Sequence, residues 1–184
     1  MSPAASGDGT VKVWDIFVRI AHWSLVIAVL GAWVTEDFGA VHEWLGYAAL
    51  IIVASRIVWG VVGTRYARFS GFVRSPAATI AYAKQMLGLR APRYIGHNPL
   101  GSYMIVALIV MIALTGLTGW LYTTDQFWGV KWMEEVHEAM ANALLGLVAL
   151  HVGGVLVSSL AHRENLVKAM VSGRKRAPGP QDVA

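Results

Sequence analysis

Residues 136–154, VHEAMANALLGLVALHVGG, decide the fold of this chain. Two histidines, His137 and His151, sit fourteen residues apart in a run that is otherwise strongly apolar. Fourteen residues are almost four helical turns, so both imidazoles face the same side, roughly 21 Å apart along the axis. That separation is most of a hydrocarbon core. The run reads as a helix that crosses a bilayer with a polar ring near each end.

The rest of the chain agrees. Of 184 residues, 56% are hydrophobic and 14% charged, and the mean hydropathy is +0.53; a soluble domain of this length carries far more charge. Four windows, 16–35, 43–62, 100–122 and 136–160, each hold the twenty or so mainly apolar residues that a span needs. Lipid offers unpaired backbone groups no partner, so these windows are expected as helices. The expected fold is all-α: one integral membrane domain over 1–184, built as a four-helix bundle.

Charge sets the expected topology. The segment 63–97 carries Arg65, Arg68, Arg74, Lys84, Arg90 and Arg93 without an acidic residue. The tail after Ala161 adds Arg163, Lys168, Arg174, Lys175 and Arg176. On the other side lie Glu36, Asp37, Glu43, Asp125, Glu134 and Glu135 against Lys131. By the positive-inside rule, both termini and the middle loop are cytoplasmic, in the cytoplasmic (inner) membrane. The pI near 9.6 is thus a topology signal, and no nucleic-acid partner is expected. The start, MSPAASGDGT, lacks the basic and apolar regions of a signal peptide; the first span is expected to serve as a retained insertion signal.

Local signals fill in the connections. Asp15 reads as the N-cap of the first span, and the turn 36–41 makes spans one and two antiparallel neighbours. Ser75-Pro76 before AATIAYAKQMLGL reads as an N-cap, a proline at the first helical position and a short amphipathic helix along the inner membrane face. Asn98-Pro99 repeats that start signal for span three. Tryptophans cluster near span ends, at interfacial depth. The tail 173–184, with its glycines and prolines, is expected to be disordered.

Histidines carry the chemistry. His22 and His42 each open another apolar window, and with the topology above the four residues sort by depth: His22 with His151 toward the inside, His42 with His137 toward the outside. Two opposed pairs at two levels of a helical bundle are what two stacked haems with bis-histidine ligation require. The absence of cysteine excludes covalent haem attachment, iron–sulfur clusters and thiolate chemistry, so the haems would be of the non-covalent b type. Such histidines are expected to be neutral, each with its second nitrogen held by a hydrogen bond. Taken singly, each could instead be a satisfied polar group at a helix interface. His97 reads as a capping or surface residue and His162 as an exposed one.

Arg56 lies fourteen residues after His42, on nearly the same face of span two. A cation within a span needs a partner, and a haem propionate suits arginine's bidentate geometry. Arg19, one turn before His22, is a second candidate; snorkelling to the interface is the alternative for both. Gly46, Gly146, Gly153 and Gly154 either leave room for a flat macrocycle or serve ordinary small-residue helix packing.

Val13-Trp14-Asp15, Arg19 and His22-Trp23 form V-W-D-x-x-x-R-x-x-H-W. With RIVWGVVGTRYARFSGFV from Arg56, GHNPLG at 96–101 and the fourteen-residue histidine pair, they resemble the bacterial cytochrome b561 and nickel-iron hydrogenase cytochrome b family from about residue 11 to 172. The resemblance implies a four-helix core with two b haems moving electrons between quinone and a partner, with His22, His42, His137 and His151 as axial ligands. Hydrogenase-type members are commonly longer, so a stand-alone or differently partnered member is expected as readily as a hydrogenase or dehydrogenase subunit. A related version, a superoxide:quinone oxidoreductase, is opposed by the acidic outer face, which suits a basic redox protein such as a cytochrome c. A non-redox ion transporter using the membrane histidines is the rival from another class, but neither inverted repeats nor broken helices are present in the sequence. Polar groups for a quinone gather near His97, Tyr103 and His162.

Overall fold

In lipid an apolar run must satisfy its backbone within itself, and these runs do so as helices. The structure, a computed structural model, describes residues 9–88 and 90–183. In chain order the elements are β1 (Thr10–Lys12), α1 (Ile16–Val34), α2 (Ala40–Val62), α3 (Phe69–Phe72), α4 (Pro76–Leu87), α5 (Pro99–Tyr122), α6 (Lys131–Ala161), α7 (Leu166–Ser172) and β2 (Arg174–Arg176). Helices α1, α2, α5 and α6 are long and apolar enough to cross a membrane. Their faces carry exposed Ile20, Ile27, Ile51, Leu150 and Leu160, side chains that lipid, not water, solvates.

Two spans start earlier than hydropathy indicates: α2 at Ala40 and α6 at Lys131. The extra residues, 40–42 in α2 and 131–135 in α6, hold helical geometry ahead of the apolar windows. In α6 the Lys131 ammonium faces Glu135 one turn on, at 3.9 Å. Three starts follow their caps. Val18 N–H donates to Asp15 Oδ1 at 2.9 Å, Ala78 N–H to Ser75 Oγ at 3.3 Å, and Gly101 N–H to Asn98 Oδ1 at 2.7 Å. The other Asp15 oxygen accepts from Trp59 Nε1 at 3.1 Å and Thr64 Oγ1 at 2.6 Å, tying the start of α1 to the end of α2. Burial opposes ionisation of Asp15, but the bonds from Thr64, the Val18 N–H and Trp59 hold its carboxyl below the usual range.

The chain divides into two compact units, and each long helix contributes to both. One comprises Ile20–Val58 and Val106–Leu150, with a core of Ala28, Ala49, Val53, Ile112 and Leu144. Small residues bring its helices close, as membrane packing requires. A Cβ at Gly116 would lie 2.5 Å from the Leu50 side chain. The other unit comprises Met1–Arg19, Trp59–Ile105 and His151–Ala184, with a core of Val11, Val13, Trp14, Ile95 and Ala169.

One expectation, that of a disordered tail, is corrected in this second unit. Among the described residues the fold is helical, as expected, with one small two-stranded ribbon in which β1 pairs antiparallel with β2, Val11 opposite Lys175. The tail is ordered as far as Val183. Gly173 turns the chain out of α7 at φ +79°, where a Cβ would meet the Trp14 carbonyl oxygen at 2.7 Å, so only glycine fits. Farther on, Val183 N–H donates to Arg93 O at 2.8 Å and Ile95 N–H to Val183 O at 2.9 Å. The opening residues 1–8, and with them most of the signal-peptide expectation, lie outside the described residues.

A buried clasp of alternating charge holds this tail. Arg93 grips both Glu164 oxygens, at 2.6 and 3.1 Å, and reaches Asp182 at 2.5 Å and the Arg176 carbonyl at 2.8 Å. Lys175 lies 3.4 Å from Glu164 and donates to Tyr94 O at 3.1 Å. Two cations and two anions balance, and every one is nearly covered, with 4–11% of the side chain exposed. Composition alone could not reveal this, because Arg93 lies 71 and 89 residues from its acidic partners.

Removing one member strands a buried charge, at a cost of about 3–5 kcal/mol. Glu164→Gln is expected to release the tail, seen as rapid amide exchange at Lys175 and Val183 and protease cleavage after Arg176. The clasp should also be acid-labile. Burial opposes ionisation of Glu164 and Asp182, but Arg93 and Lys175 for the first, and the Gly179 N–H and Arg93 for the second, keep both carboxyls below their ordinary values of 4.5 and 3.8. The folded state therefore binds fewer protons. Its stabilisation is complete above the ordinary values and lost as pH falls through the lowered ones. Tail protection followed by hydrogen exchange from pH 6 to 3 should fall, and a flat profile would refute the clasp.

Candidate functional site

The first unit described above holds the histidine pair that the structure brings together. His42 opens α2 and His137 lies in the second turn of α6. Their ring centroids are 6.0 Å apart, with planes at 85°. Both rings are half-buried.

Each ring is fixed through Nδ1 to a backbone carbonyl. His42 Nδ1–H donates to Ala32 O at 2.8 Å. Ala32 stands in the last turn of α1, where its carbonyl accepts only long bonds from the Thr35 N–H at 3.3 Å and the Thr35 hydroxyl at 3.4 Å, so the imidazole adds the short bond that a helix end leaves room for. His137 Nδ1–H donates to Thr115 O at 3.0 Å and has Thr118 Oγ1 at 3.1 Å. Thr115 lies mid-helix, where its carbonyl's regular partner is the amide of residue 119. That residue is glycine, and a Cβ there would come within 2.9 Å of His137 Cε1. The missing side chain lets the ring reach the helix backbone.

A carbonyl oxygen only accepts, so in both neutral rings the proton must sit on Nδ1 and the Nε2 lone pair is left bare. The pair can bind a cation or an electron-poor metal centre from two sides. Among the described residues no three His, Asp or Glu side chains converge as a metal site. A free transition-metal ion usually takes three or four protein ligands, whereas iron already held by a macrocycle needs two.

The other candidates sit as follows. His22 lies on α1, edge-on to Trp23 at 5.1 Å; His151 lies on α6, fourteen residues beyond His137. They belong to different compact units. Arg56 on α2 is buried, 7% exposed. Arg19 donates from its guanidinium to the Val171 carbonyl oxygen at the end of α7, a role that sequence reasoning missed. A Cβ at Gly46, Gly146, Gly153 or Gly154 would meet nothing within 4 Å, so close helix packing is not what requires glycine there.

Two further histidines differ from expectation. His97 is wedged between Trp14 at 4.5 Å and Phe72 at 4.4 Å. His162 is half-buried instead of exposed; burial, then the nearby Arg93 and Lys175, push its pKa down. It borders a polar cleft with Arg90, Arg93, Arg176 and Asp182, unlike the apolar slot that suits a quinone ring. Tyr103 spends its hydroxyl on the Arg74 carbonyl at 3.1 Å. Sequence reasoning also missed Thr115, Thr118 and Gly119, since α5 carries no histidine to draw attention to it.

The family model described as prokaryotic cytochrome b561 matches residues 13–173. A similar curated protein is the "Probable Ni/Fe-hydrogenase B-type cytochrome subunit" of Bradyrhizobium diazoefficiens (strain JCM 10833 / BCRC 13528 / IAM 13628 / NBRC 14792 / USDA 110), 24% identical over 220 residues, covering 94% of this chain and 88% of that protein. No solved structure matches. The spans, the histidine pair and the extent of the family match lead to one conclusion: the chain belongs to the prokaryotic cytochrome b561 family of multi-pass membrane b-type cytochromes, whose cofactor is haem b.

Proposed function

We propose that the chain is a dihaem electron carrier, in which His42 and His137 hold one b haem and His22 and His151 the second. The observation that carries this reading is the 6.0 Å separation of the His42 and His137 rings. Imidazoles opposed across one metal atom have centroids roughly 6 Å apart, given metal–nitrogen bonds of about 2.0 Å and a ring radius of about 1.1 Å. The fit extends to chemistry, because both rings keep Nδ1 on a carbonyl and leave Nε2 bare. Open space beside Gly46, one turn from His42, accommodates a flat group. The second pair is supported by spacing: His151 follows His137 by fourteen residues on one helix.

A bound b haem supplies a one-electron couple at each level. The chain's own residues do the rest. At the His42–His137 level the fixed imidazoles hold one geometry, so little rearrangement would accompany a change of charge there. Arg56, a buried cation on the His42 helix, would neutralise a haem propionate, and Arg19 would lend a second cation near the start of α1. With both termini on the basic, cytoplasmic side, electrons cross the inner membrane between a quinone pool and a redox protein. A hydrogenase is the partner favoured by the relative's name. Exposed Glu36, Asp37, Glu43, Asp125, Glu134 and Glu135 present an acidic face to that partner and repel an anion such as superoxide.

A pyridine extract of the pure, haem-loaded protein should give two protohaems per chain. His42→Ala and His137→Ala should each leave one, and the double variant should also leave one, since both residues serve one site. Two haems remaining in His137→Ala would overturn the assignment. Gly119→Ala should push the His137 ring off the Thr115 carbonyl, destabilising the chain by about 1–3 kcal/mol through overpacking. A lowered unfolding midpoint in detergent, with partial loss of the same haem, checks this.

A further inference from the structure

Helix α5 contributes no histidine, yet one turn of it, Thr115 to Gly119, seats the His137 ring. The hydroxyl of Thr118 donates to Thr115 O at 2.9 Å. With its proton committed there, the oxygen presents lone pairs to the His137 Nδ1–H at 3.1 Å. Thr115 O accepts from the same Nδ1–H at 3.0 Å. Gly119 supplies the gap that admits the ring. His42 is held differently, its Nδ1–H donating to the Ala32 carbonyl at 2.8 Å.

We propose that Thr118 is a positioning residue for His137 and sets the redox potential at that level. The inference rests on the reading of His137 as an iron ligand. An acceptor on Nδ1–H pushes electron density toward Nε2 and strengthens it as a ligand, which favours the oxidised, more electron-poor iron. The hydroxyl also forbids rotation of the ring about its Cβ–Cγ bond, because a bifurcated N–H is satisfied in one orientation only. Removing it leaves the Thr115 carbonyl as the single acceptor, so the ligand becomes a weaker donor and a freer rotor.

Thr118→Val keeps the shape of the side chain and deletes the hydroxyl. The holo variant should retain two haems, with the midpoint potential of one raised and its low-spin EPR signal shifted or broadened. The other haem should be unchanged. Thr118→Ser should return both readouts toward the parent. The affected haem must be the one that His137→Ala removes. Unchanged potentials and EPR signals in a two-haem Thr118→Val protein would overturn the proposal, as would equal shifts in the valine and serine variants or a shift confined to the other haem. Should the valine variant not fold, Thr118→Ala against Thr118→Ser decides in the same way: a shift in alanine alone supports the role, and identical behaviour overturns it. Failure of the ligand reading is seen elsewhere, as a parent protein without two haems or a His137→Ala variant that keeps both.

Discussion

A neutral imidazole buried in lipid has one N–H that must find an acceptor, and a helical bundle offers almost none. Backbone carbonyls inside helices are already paired with amides four residues on. The chain supplies acceptors in two ways. At His42 it uses a helix end, where the Ala32 carbonyl has lost its regular partner. At His137 it uses a mid-helix carbonyl and opens the way with Gly119. Everything asked of the pair follows from those two bonds: a fixed tautomer, a fixed ring plane and an Nε2 lone pair that points away from the backbone holding it.

The unit that contains the clasp solves the opposite problem. Here charges are plentiful, and they are buried by mutual neutralisation. Arg93 spans Glu164, which follows α6, and Asp182, near the chain's end, while Lys175 lies against Glu164. Pairing of β1 with β2 then sets residues 10–12 beside residues 174–176. Arg19 belongs to this account as well, since one of its donors caps the last turn of α7. A residue that the sequence presents as a candidate propionate partner thus has a structural duty too.

Much of this was legible in the sequence, for identifiable reasons. Hydropathy located all four spans because lipid imposes a minimum length. Caps at Asp15, Ser75 and Asn98 were legible because an N-cap is a local event, settled within three residues. The His42–His137 meeting could be anticipated from depth and charge bias together. The tail could not, because its order comes from Arg93 and Ile95, nearly ninety residues away in the chain, and glycines and prolines in isolation signal the reverse. The first residues of α2 and α6 were missed since a helix start that carries polar side chains has no hydropathy signature. Thr118 and Gly119 were missed for a subtler reason: a threonine in a span ordinarily bonds its own helix, and only the position of His137 turns that habit into a seat for a ring.

The seat of His137 bears on how such a carrier can be tuned. If two haems of one type were to sit in equivalent surroundings, they would share a potential, and electron flow would have no preferred direction within the chain. The metal, the macrocycle and the axial residue type are common to all sites in this reading, so differences must come from what lies behind the ligands and from burial. The partner behind each imidazole is a small, local variable. It can change through one hydroxyl on a neighbouring helix without moving a ligand or altering the span. A helix that carries no ligand is well placed for this, because its residues answer only to packing and to the ring they support. On that argument α5, the most apolar-looking element of the four, is where the chain can adjust its redox behaviour at least structural cost.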